Sequence, residues 1–209
     1  MAQVSNDVGV ANLALTKLGQ QQINALTDST RNAKVMDLVY SDVLAEVQSM
    51  IPWTCLVTRA DLTESDAGTN HSQFAYDYDL ASDHLRVLNV EGDETVNFRI
   101  EGSVIFTDEG NGTSVNLRYV KLDTTVENWE PLLLRAIVLK LAIDACFLVT
   151  NSLQLMQMLQ QEFLQVIGMA VRVQMIENKE DNMELVHFLN EQASMLLATR
   201  NYVSETAPS

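Results

Sequence analysis

FAYDYDLASDHLRVLNV (residues 74–90) alternates in its first half: Phe74, Tyr76, Tyr78 and Leu80 are separated by Ala75, Asp77 and Asp79. A period of two places the apolar and polar sets on opposite faces of an extended chain. Leu85, Val87 and Val90 continue the stretch. The pattern recurs downstream in Val96, Phe98 and Ile100, in Val104 and Phe106, and in Val115, Leu117 and Tyr119. Glu101-Gly102 and Asn111-Gly112 fall where tight turns are needed. Short strands at this spacing predict an antiparallel meander or a small sandwich.

On both sides the period changes to that of a helix. Upstream, Ser5, Asn6 and Asp7 offer an N-cap, Val10, Leu13, Ala14 and Leu18 follow helical spacing, and Gly19 supplies a stop. Asp28, Ser29 and Thr30 offer a second cap. Val35, Val39, Val43 and Val47 then recur every four residues, with Met36, Tyr40 and Leu44 widening the stripe. Pro52 ends this helix, and Trp53 is expected to plug the core. Downstream, Trp129-Glu130-Pro131 opens a helix with proline at a favoured first position. Leu132 to Val149 is apolar nearly all round and should be central. Asn151 and Ser152 cap a further helix carrying Leu155, Met158, Leu159, Val166, Ala170 and Val173. After a break at 178–182, Met183 to Leu197 predicts one more.

The fold class expected is therefore α+β, mainly a helical bundle with an inserted antiparallel β module. The bundle is discontinuous, residues 1–60 and 125–200. The β insertion is 61–124, and 201–209 forms a flexible C-terminal tail. Trp53, Tyr40 and Trp129 are the expected core anchors. In a chain of 209 residues that is 47% hydrophobic, a sizeable buried core is expected.

Charge follows the same division. The chain has 13 Lys and Arg against 28 Asp and Glu, a net charge of -15. Residues 61–130 hold fifteen acids and four bases, so most of the excess lies in the middle third. Such a chain lacks the clustered cations that grip phosphates. The opening MAQVSNDVGV has neither a basic start nor an apolar run and is not read as a secretory signal. Arg135, Lys140 and Asp144 interrupt the most apolar stretch, which argues for a buried helix over a membrane span.

Few residues suggest chemistry. His71, His84 and His187 form no metal-ligand spacing, and no nucleophile elbow or phosphate loop is present. Cys55 and Cys146 lie in apolar surroundings and read as core thiols. Asp77, Asp79 and Asp83 are the candidate metal ligands, since calcium takes several carboxylates. A solvated acidic face is the simpler reading of the same residues. The methionines of the last third, Met156, Met158, Met169, Met175, Met183 and Met195, fit core filling or subunit packing better than a soft binding groove.

Several segments in order resemble the phage head-to-tail adaptors, also called tail tubular protein A. Residues 11–62 are similar to the family's opening in Leu18-Gly19, Ile23, Leu26, Asp28, Ala33, Tyr40, Pro52-Trp53 and Arg59. Residues 74–90 resemble its aromatic strand with a following Leu-Arg-Val stretch. Tyr119, Trp129 with Pro131, and LKLAIDACFLVTNS (139–152) resemble its return to helix. The resemblance covers roughly residues 6–175. The family's prolines around the aromatic strand have no counterpart here.

This resemblance implies a structural virion protein without catalysis and without a cofactor. It implies a ring, usually of twelve copies, docked on the portal protein and carrying the tail nozzle or tail tube. DNA would pass through the centre without specific binding, and no membrane is involved. The expected location is the tail at the portal vertex, after synthesis in the host cytoplasm. Two alternatives stay open: another tail-completion or connector protein, and a metal-dependent module using Asp77, Asp79 and Asp83.

Overall fold

A computed structural model describes residues 4–63, 65, 74–91, 95–109 and 114–177. Its elements are α1 (Asp7–Lys17), α2 (Arg31–Met50), β1 (Val57–Thr63), β2 (Tyr76–Asp79), β3 (His84–Val90), β4 (Phe98–Glu101), β5 (Val104–Thr107), β6 (Ser114–Lys121), α3 (Pro131–Thr150) and α4 (Leu153–Glu177). The class is α+β. The expected helix over 183–197, the tail over 201–209 and the Asn111-Gly112 turn lie outside the described residues.

The chain divides into two compact units, Asp7–Tyr40 with Pro131–Ser209, and Met1–Asn6 with Ser41–Glu130. These divisions at 40/41 and 130/131 differ from the expected ones at 60/61 and 124/125. The reason is local. The second half of α2, Trp53 and the segment before Pro131 are packed and hydrogen-bonded with the strands that they flank.

In the helical unit, α3 is central and packs against α1 and α4. It buries residues on nearly every side, from Leu133 and Ile137 to Leu141 and Cys146. Its first residue is Pro131, whose missing N–H costs nothing at that position. α1 stops in a Schellman motif: Gly19 has φ +65°, its N–H donates to Thr16 O, and Gln20 N–H donates to Leu15 O. The link after α1 is held by Asn12, which accepts from Ile23 N–H at 2.8 Å and donates to Ile23 O at 2.9 Å. Thr30 caps α2 through Ala33 N–H, whereas Asp28 accepts from Asn24 and Ala25 N–H and shapes the link instead. Ser152 caps α4 through Leu155 N–H, after Asn151 turns the chain at φ 59°.

In the other unit, two three-stranded antiparallel sheets have the orders β1-β6-β3 and β2-β5-β4. Leu62, Tyr78, Leu80, Val90, Ile105, Val115, Leu117 and Tyr119, drawn from both sheets, form one core. β1 was not expected as a strand; it pairs with β6 from Val57–Val120 to Thr63–Ser114. The face of β5 is also reversed from the expectation. Ile105 and Thr107 are buried, while Val104 and Phe106 lie on the other face and are partly exposed. In β3 the register against β6 shifts twice, between His84 and Arg86 and between Val87 and Asn89. Such irregularities let Val87 and Val90, three residues apart, both pack on the core. The β4–β5 hairpin turns through Gly102-Ser103, with positive φ only at Gly102. That is the pattern of a type II′ turn.

Candidate interaction surface

Trp53 is fully buried, and its indole N–H donates to Val47 O at 2.9 Å. Val47 lies in the last turn of α2, where carbonyls lack intrahelical partners. The indole therefore fills the core and satisfies a helix end at once. Trp129 is also buried and donates to Asp123 O at 3.0 Å. Tyr40 is half-buried, and its hydroxyl is held well above its usual pKa by burial and then by the Asp7 carboxylate.

Asp123 organises the exit from the β unit. Its carboxylate accepts from Thr125 N–H (2.8 Å) and Asn128 Nδ2 (3.0 Å), with Lys121 Nζ at 3.3 Å. Its backbone exchanges two hydrogen bonds with the buried Gln48 amide. Burial alone would raise the Asp123 pKa; the bonds from Thr125, Asn128 and Lys121 outweigh it and hold the carboxyl below its ordinary range.

The three candidate metal ligands do not form a site. Asp77 and Asp79 alternate with Tyr78 on one face of β2, but Asp77 is buried and Asp79 exposed. The solvated face expected for both thus holds for Asp79 only. Asp83 sits before β3 and accepts from Tyr119 Oη at 3.1 Å. Burial, then the nearby Asp83 charge, raises the Tyr119 pKa. Asp108, just past the end of β5, accepts from Ala75 N–H. Among the described residues no group of three or more His, Cys, Asp or Glu is placed to hold a metal ion.

Neither cysteine is placed as a nucleophile. Cys146 is buried in α3, within 3.4 Å of Thr150 Oγ1 and 3.5 Å of Ser152 O. Cys55 is half-buried, and burial pushes its thiol pKa up, which lowers the thiolate fraction.

The helical unit exposes apolar surface. On α4, Met158, Met169, Val173 and Ile176 are exposed, Ile176 to 75%. At 100° per residue they fall within an arc of about 60° that borders the buried stripe of Phe163, Val166, Ala170 and Gln174. Met158 and Met169 are exposed, whereas Met156 and Met175 are half-buried. Leu13, Thr16 and Lys17 of α1, with Pro131, Leu134, Arg135 and Val138 of α3, line an open groove of about 330 Å³. On its lip one carboxylate serves two cations. Glu162 Oε1 lies 2.8 Å from Lys17 Nζ and 2.9 Å from Arg135 Nη2. Hydrogen bonds from Lys17 and Arg135 depress the Glu162 pKa.

Sequence reading did not find this lip, because Lys17, Arg135 and Glu162 belong to three helices far apart in the chain. It also missed the Asn12–Ile23 clamp and the Gln48–Asp123 pair, for which only a polar residue inside an apolar stripe was a sign. Among the described residues no helix is long and apolar enough to cross a membrane. Compared with known proteins, the chain matches no family model and no curated protein.

Proposed function

We propose that this chain is a structural virion protein, a head-to-tail adaptor that forms a ring between the portal and the tail nozzle or tube. The observations that carry this reading are the exposed apolar residues of α4 and the apolar α1–α3 groove. Apolar area of this kind on a soluble chain marks a protein contact. A repeated contact between unlike patches of one chain closes into a ring when its rotation allows. The ordered resemblance of residues 6–175 to the adaptors supplies the position in the virion and the usual count of twelve.

The acidity of the chain is consistent with this role. Asp61, Asp79, Glu91, Glu101, Asp108 and Glu109 are exposed on the β unit. Facing a channel, such carboxylates repel passing phosphates, whereas a basic lining would hold them. Facing a tail protein, they would seek a basic surface.

Electron microscopy of the purified chain mixed with its portal tests the reading. A ring seated on the portal is the expected image. Virions in which this chain lies away from the portal vertex would refute it.

A further inference from the structure

The groove between α1 and α3 has an unbalanced rim. Its lining is apolar at Leu13, Pro131, Leu134 and Val138, but Lys17 and Arg135 share the single carboxylate of Glu162. One positive charge is therefore left over beside an apolar slot. An occupant that fits should present a protruding apolar side chain with a net negative flank.

The chain carries such a feature. Leu38 of α2 is 70% exposed, among the most exposed large apolar side chains of the described residues. Asp37 precedes it and Asp42 follows one helical turn later, with Lys34 one turn before, and all three are exposed. The flank thus has a surplus of one carboxylate, opposite in sign to the groove rim. Nothing within α2 explains a leucine at the crest of its polar face.

We propose that the α1–α3 groove of one copy receives Leu38 of the next copy, with Asp37 and Asp42 meeting the Lys17–Arg135 lip. The contact joins two different patches, so each copy offers both halves and the chain extends from copy to copy. It rests on the ring reading and names the surface by which that ring would be built. Rim charges of this kind set orientation and speed of association, while the buried leucine holds the pair.

Mixed crosslinking of the full chain tests it. One sample carries Leu38→Cys, the other Leu13→Cys, and both are oxidised mildly, separately and together. Cys55 is half-buried and Cys146 buried, and the unsubstituted chain measures their background. The mixture should give covalent dimer in about tenfold higher yield than either variant alone, since docking raises the local thiol concentration. Adding Lys17→Glu and Arg135→Glu to the Leu13→Cys chain should remove that gain, and Asp37→Lys with Asp42→Lys in its partner should restore it. Equal yield from Leu38→Cys alone would mean a two-fold contact and overturn the proposal. Absence of dimer from the mixture would overturn it as well. If a ring is seen on the portal while the crosslink fails, this contact is wrong and the adaptor reading survives. If no ring forms there, the adaptor reading itself falls.

Discussion

The indole of Trp53 joins a filled core to a satisfied helix end, so two substitutions separate its roles. Trp53→Ala should cost about 3–5 kcal/mol in urea unfolding, the usual range for emptying a large buried site. Trp53→Phe keeps much of the ring but orphans Val47 O, and should cost at least about 1 kcal/mol. A near-neutral alanine variant would contradict the burial of Trp53. Glu162 gives a pH test. Its folded pKa lies below the ordinary value of 4.5, so its stabilisation is fully present above that pH. It is lost as pH falls through the depressed folded pKa. Lys17 and Arg135 are 39% and 51% exposed, so screening limits the effect to about 1 kcal/mol. Glu162→Gln should therefore lower stability at pH 7 and leave it nearly unchanged at pH 3. An equal loss at both values would place its role in packing rather than charge.

Among elements, helices were the most legible. The four-residue recurrence from Val35 to Val47, the Pro131 start and the Ser152 cap all fall where a helix has them, because caps and periodicity are local. Gly19 was read as a stop, and its φ of +65° gives the physical cause. Gly19→Ala should cost about 1–2 kcal/mol although no atom lies within 4 Å of the added Cβ. A thermal midpoint equal to that of the parent would argue that the turn relaxes. Strands were less legible. VIF (104–106) is apolar at both parities, so alternation could not choose its buried face. Pairing chose it, with Ile105 opposite Tyr78 on one side and Ile100 on the other. β1 reads VTRADLT, too polar to announce itself, and exists because β6 offers it an edge. The irregular register of β3 likewise could not be seen in a single strand.

For the whole molecule, the net charge of -15 leads to a direct expectation. Duplex DNA should not be retained by the purified chain on a filter even at low salt, because 28 acidic against 13 basic residues repel phosphates overall. Retention that weakens steeply as salt is added would reveal a phosphate-binding surface and contradict an acidic channel lining. At the same scale, the candidate site was only half legible. Excess apolar helix surface could be inferred from Met158, Met169 and Val173. The groove and its charged lip could not, since their residues come from α1, α3 and α4.

By itself the sequence determined the α+β class, the helical flanks, the acidic β segment between them and the absence of familiar catalytic motifs. These follow from periodicity, capping and composition, which act over a few residues or over the chain as a sum. Tertiary structure alone decided the two-sheet topology, the buried face of β5, the burial of Asp77 and the hydrogen bonding of Asp83. It also placed three distant charges on one groove. Each depends on which segments pair across dozens of residues, and hydrogen-bond register and packing fix that only when the chain has closed on itself.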